Sequence, residues 1–245
     1  MFIANWKMNG SQSMLSDWLT GVGKTLDKSL QKRCLLCPPV CFLSEASHLI
    51  TKTNLNISLG AQNIDPNSFS SLTGGLNGTM LKSIGSEFVI VGHSERREVF
   101  KERDSLLSKK LRSASENGLK VIFCIGESSR DKEENQTEKV LKQQLQIIKK
   151  VELNEFMIAY EPIWAIGSGE TANLDYIDKV HKGIIDEVSS YQKEGFMGVS
   201  YGGSVDSTSS KDILSIKGVK GLLIGGASLQ YKEFCNIVLL SLIHI

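Results

Sequence analysis

At 245 residues, with 28 basic and 27 acidic side chains, the chain is long enough for one large α/β domain or two average ones, and its net charge is only +1. Such a balance creates no long-range field to hold a nucleic acid or an anionic membrane, so any anion must be bound locally. No apolar run approaches the roughly 20 residues of a spanning helix, and Met1-Phe2-Ile3-Ala4-Asn5-Trp6-Lys7 lacks a basic segment before a long apolar core, which points to a cytoplasmic protein.

Along the chain, short apolar runs alternate with longer amphipathic stretches. Strands are predicted near 2–6, 33–37, 57–61, 88–91, 119–124, 156–160, 196–201 and 219–224. Most are continuously apolar, as strands covered on both faces should be. Among the intervening helices the clearest is predicted over 132–150, where Val140, Leu141, Gln144, Leu145 and Ile148 recur at helical spacing. The stretches 104–116 and 174–188 read likewise. No linker or composition break divides these units, so the expectation is an α/β fold, a single (β/α)8 TIM barrel over residues 1–245.

Five cysteines make an odd number and no extracellular disulfide framework. Cys34-x-x-Cys37, with Cys41 and His48 nearby, allows a metal or redox cluster. On a strand, however, positions three apart point to opposite faces, and buried reduced thiols are the better account. Cys124 and Cys235 also sit in apolar surroundings.

A barrel of this kind carries its chemistry in the loops after the strand C-termini. Those loops hold Asn5 and Lys7, then Gly92-His93-Ser94-Glu95-Arg96-Arg97, then Glu161, then Tyr201-Gly202-Gly203-Ser204-Val205, and finally Gly225-Gly226-Ala227-Ser228-Leu229. Pro162 disfavours helical geometry at Glu161, and loop is expected from there to Leu174. Its apolar stretch Ile163-Trp164-Ala165-Ile166 would be costly to leave in water, and Gly167 and Gly169 supply backbone freedom. A base beneath a moving lid is one reading, and a capping carboxylate under an ordinary surface loop is the other. Lys7 alone would be a solvated charge and His93 alone a structural histidine; at one barrel mouth with Glu161 they describe an acid/base site. The glycine pairs at 202–203 and 225–226 offer backbone N–H groups to a phosphate, with Ser204 adding a hydroxyl.

With these residues in view, the chain resembles triosephosphate isomerase over nearly its whole length. The resemblance rests on Asn5-Trp6-Lys7-Met8-Asn9, Val91 to Arg97, Cys124-Ile125-Gly126-Glu127, Tyr160 to Gly167, Tyr201 to Val205, and Ile224 to Leu229, all in order. It implies interconversion of dihydroxyacetone phosphate and glyceraldehyde 3-phosphate through an enediolate, with no cofactor and no metal. Glu161 would be the base, and His93 a neutral imidazole polarising the carbonyl, its charged form disfavoured at a helix N-terminus capped by Ser94. Lys7 and Asn5 would stabilise the oxyanion, and Glu95 would hold Lys7. The phosphate would lie on N–H groups of Gly167, Ser204, Gly225 and Gly226. A homodimer through the loop around Thr73 is also implied.

The departures from the family pattern concern support. The third-loop tip, usually Thr-Gly-Glu, is Thr73-Gly74-Gly75, which weakens the expected dimer, and Asn77-Gly78 is expected to loosen the segment after it. The usual Ile-Arg is Ile184-Ile185, and the usual Asp before the last strand is Lys220, a joint loss of an ion pair. Glu170 stands at the lid's far hinge where Lys is frequent. The alternatives are another barrel enzyme acting on a sugar phosphate, an inactive relative kept as a scaffold, and a nucleic-acid module, which the balanced charge disfavours.

Overall fold

A computed structural model of the protein describes residues 1–67, 71–167, 172–192 and 194–241. The eight predicted strands form as β1 (Phe2–Asn5), β2 (Cys34–Cys37), β3 (Ser58–Ala61), β4 (Phe88–Val91), β5 (Lys120–Ile125), β6 (Phe156–Tyr160), β7 (Phe196–Tyr201) and β8 (Val219–Ile224). Each pairs in parallel with the next. β8 returns to β1, with Leu222 beside Phe2 and Ile224 beside Ala4, and the sheet closes into the expected barrel without an edge.

Side-chain alternation divides the strand residues between two cores. Ile3, Leu35, Cys37, Phe88, Ile90, Ile122, Cys124, Met157, Ala159 and Leu223 pack together inside the barrel. Phe2, Ala4, Cys34, Leu36, Val89, Val121, Phe123 and Ile158 face outward and pack with helix residues such as Trp18, Leu111, Ile184 and Phe234. Cys34 and Cys37 therefore lie in different cores, as their spacing required. Burial pushes the Cys34 thiol up to about 12 and raises Cys37 as well. Among the described residues no group of His, Cys, Asp or Glu is placed to hold a metal ion.

Helix Asp104–Glu116 spans its predicted range, and helix Leu174–Ser189 starts where expected, behind Asn173, whose Oδ1 accepts from the Asp175 N–H at 2.9 Å. The single helix predicted over 132–150 is not formed. The chain makes Ser129–Glu133, Thr137–Leu145 and a 3-10 turn at Ile148–Lys150. The first piece starts early because Ser128 and Asp131 cap it reciprocally. The break follows from Asn135, which takes φ +56°, the left-handed conformation that ends helices. Asn77-Gly78, expected to loosen the chain, begins helix Gly78–Ser83 instead, with Asn77 Oδ1 accepting from the Met80 N–H at 2.8 Å. Among the described residues no helix is long and apolar enough to cross a membrane.

Candidate active site

The C-terminal ends of β1, β4, β6, β7 and β8 meet around a cavity of about 350 Å³, whose lining includes Asn5, Lys7, His93, Glu161, Gly167, Ser204, Gly225 and Gly226. These are all the site residues expected from the sequence except Glu95. That residue stands outside the cavity wall with Oε1 2.7 Å from Lys7 Nζ.

Asn5 ends β1 nearly buried, and its Oδ1 accepts from the Lys7 N–H at 3.1 Å. Lys7 has φ +51°, a left-handed conformation that costs a residue with a β-carbon about 1–2 kcal/mol. A second clamp holds it there: Gln62 Nε2 donates to the Lys7 carbonyl at 3.0 Å and to the Cys37 carbonyl at 2.8 Å. No sequence signal marked Gln62, because both carbonyls reach it only through the fold.

After β4, Gly92 turns at φ +76° into the short helix Ser94–Glu98. The sequence pointed to Ser94 as its cap, but the cap is His93, whose Nδ1 accepts from the Glu95 N–H at 3.3 Å. The Ser94 N–H donates instead to Glu161 Oε2 at 3.0 Å. Nδ1 also lies 3.5 Å from Glu95 Oε2, so Glu95 offers it a donor when the ring is neutral and an acceptor when it is charged. On the other side of the ring, Nε2 is 2.9 Å from Glu161 Oε1.

This pairing sets both protonation equilibria. Burial works to lower the His93 pKa, but the adjacent Glu161 carboxylate outweighs it and the net shift is upward. The expectation of a disfavoured imidazolium is thus corrected for the resting geometry. Burial likewise works to raise Glu161, yet His93 and the Ser94 N–H outweigh it and hold the carboxyl below its ordinary range.

Glu161 follows β6 and is 2% exposed. Its backbone abuts the end of β5 so closely that a β-carbon at Gly126 would lie 1.8 Å from the Glu161 carbonyl oxygen, which makes glycine obligatory there. Beyond Pro162 the chain makes a 3-10 turn at Ile163–Ala165, not plain loop. The apolar stretch is docked there: Ala165 is buried and Trp164 Nε1 donates to Glu127 Oε1 at 2.8 Å. The same oxygen accepts from Tyr160 and Tyr176 hydroxyls, each at 2.9 Å. Burial raises the Glu127 pKa despite these donors. Motif reading gave Glu127 no role, although a carboxylate two residues beyond the apolar run Val121–Ile125 repeats the pattern that marked Glu161.

The loop after β7 holds the docked stretch, and β7 itself holds the chain just ahead of helix Leu174–Ser189. Ser204 donates to the Ala165 carbonyl from Oγ at 2.6 Å and from N–H at 3.1 Å, and the Ala172 N–H donates to Tyr201 Oη at 3.3 Å. Ser168, Gly169, Glu170 and Thr171, including the departure at Glu170, lie outside the described residues. Gly203 is required because a β-carbon would meet Tyr201 Oη at 2.3 Å. At Gly226, by contrast, a β-carbon would meet nothing within 4 Å, so its backbone is open to the cavity it lines.

A carboxylate and an imidazole in hydrogen-bond contact, an ammonium beside them and bare glycine backbone opposite can move a proton on a small phosphorylated substrate. The family model for triosephosphate isomerase matches residues 1–241. The triosephosphate isomerase of Photorhabdus laumondii is 36% identical, the match covering 97% of this chain and 95% of that protein. For the Vibrio parahaemolyticus enzyme the figures are 37%, 96% and 94%. The crystal structure of triosephosphate isomerase from Bartonella henselae superposes with a TM-score of 0.84 at 32% identity, covering 98% of this chain and 97% of that one. With the fold and nearly the whole length in agreement, this chain belongs to the triosephosphate isomerase family.

Proposed function

We propose that the chain interconverts D-glyceraldehyde 3-phosphate and dihydroxyacetone phosphate in this cavity, with Glu161 moving the proton between adjacent carbons. The observation that carries the reading is the contact of Glu161 Oε1 with His93 Nε2 at 2.9 Å in a cavity shared with Lys7. Glu161 takes a carbon-bound proton while the substrate carbonyl accepts a hydrogen bond from His93 Nε2–H, and returning the proton to the neighbouring carbon completes the exchange. This pairing is the established one for the enzyme class. As the carboxylate leaves His93 for the substrate, the influence that raises the imidazole pKa leaves with it; burial and the helix N-terminus remain, and both favour the neutral ring. Lys7 and Asn5 face the developing oxyanion, with Glu95 holding Lys7. The N–H groups of Gly167, Gly225 and Gly226 receive the phosphate, joined by that of Ser204 when it leaves the Ala165 carbonyl it meets at 3.1 Å.

The protein works as a homodimer through the loop around Thr73. Met8, Leu72, Val99 and Phe100 support this assembly, being large apolar side chains 96%, 52%, 70% and 65% exposed. Purified protein should convert glyceraldehyde 3-phosphate, and Glu161→Ala should lose about 10²–10⁴ of that rate. A folded wild-type protein without activity would sink the reading.

A further inference from the structure

We infer that Lys132 is a positioning residue for the turn that follows Glu161: its ammonium seats the Trp164 indole and so fixes Ile163–Ala165 beside the cavity. Lys132 Nζ lies 3.3 Å from the centre of the Trp164 ring and 5.4 Å from that of Tyr176, which meets Trp164 edge to face at 5.9 Å. Lys132 belongs to the short helix Ser129–Glu133, whose start is locked by the Ser128 and Asp131 cap, so its stem grows from a fixed base. It enters no ion pair among the described residues. An ammonium so placed ordinarily extends into water, and here it lies on an aromatic face.

The two contacts on Trp164 are complementary. The Glu127 carboxylate takes the positive edge of the indole through Nε1, and Lys132 covers the negative face. The Nε1 hydrogen bond and the Tyr176 edge locate the ring, and the cation on its face fixes the plane. Trp164 is followed by Ala165, whose carbonyl is held by Ser204, so a tilted indole would disturb the attachment of this turn to the loop after β7. This inference rests on reading Glu161 as the base.

The test compares Lys132→Met, which keeps the stem without the charge, with Lys132→Arg, which keeps the cation. Lys132→Met should raise KM for glyceraldehyde 3-phosphate and lower kcat/KM about threefold to tenfold. It should also shift the indole emission, since Trp6 and Trp18 are buried elsewhere, and leave Tm within about 2 °C. Lys132→Arg should restore kcat/KM. Unchanged kinetics in Lys132→Met, an equal loss in both variants, or a loss explained by a fall in Tm would each overturn the proposal. Failure of the site reading itself would show separately, as retained activity in Glu161→Gln.

Discussion

Glu161 Oε1 stands 2.9 Å from His93 Nε2, and each group sets the proton affinity of the other. In Glu161→Gln the carboxylate that lifts His93 is gone, while burial, the helix N-terminus and Lys7 still oppose the cation. The His93 pKa should therefore fall relative to the wild type. Imidazole nitrogen chemical shifts followed through a pH titration report it, and an unchanged or raised value would show that Glu161 is not the dominant partner.

Glu127 Oε1 gathers Tyr160, Trp164 and Tyr176 on one charged acceptor. Hydrogen bonds to an ionised acceptor are roughly twice as strong as neutral ones. Glu127→Gln should lower kcat/KM about tenfold, through the docking of the turn after Glu161 and not through proton transfer. Steady-state kinetics measure it, and the pH dependence of kcat should keep its wild-type shape.

His181 is buried on helix Leu174–Ser189 against Tyr160 and Tyr201, with Nδ1 3.3 Å from the Gly218 carbonyl and no hydrogen bond at Nε2. Burial lowers its pKa to about 4. The unfolded chain takes up a proton near pH 6.5, while the folded chain stays neutral until about pH 4. Stability from this group is thus complete above pH 6.5 and lost as pH falls towards 4, by roughly 3 kcal/mol. Urea unfolding across this window should show the decline, and His181→Leu should flatten it.

Ile185 packs half-buried against the core between barrel and helices, and Lys220 is exposed on β8. Ile185→Arg alone would place an unpaired charge against apolar side chains and should destabilise the fold by about 1–3 kcal/mol. Adding Lys220→Asp should recover part of the loss. A neutral or raised melting temperature in the single variant would contradict this.

Shortening the chain over 165–169 should increase the methylglyoxal released per turnover, because water reaching the enediolate allows phosphate to leave. Product analysis during turnover measures the ratio, and an unchanged ratio would remove this role from the loop.

Much of the fold was legible because strands buried on both faces spell themselves as apolar runs, as Phe156–Tyr160 does, and β6 matches its prediction residue for residue. The strand-end residues were legible for the same reason: once the strands are placed, Glu161 and His93 fall at the mouth. What escaped depends on choices between local options or on distant neighbours. Asn135 broke a well-patterned helix through its own backbone angle. His93 took the cap that Ser94 could equally have filled, and the Ser94 N–H meets Glu161. Gln62 and Lys132 act across contacts that no local pattern records.

The attachment of Ala165 and Ala172 to Ser204 and Tyr201 bears on how this protein can be altered. The chain between those two anchors begins on Ser204 of the loop after β7 and ends on Tyr201, the last residue of β7, so its two ends are tied close together. Doubling the number of intervening residues adds only about 0.6 kcal/mol of closure entropy. Insertions there can be accepted by the scaffold at little thermodynamic expense, which leaves the length of this span free of a stability constraint.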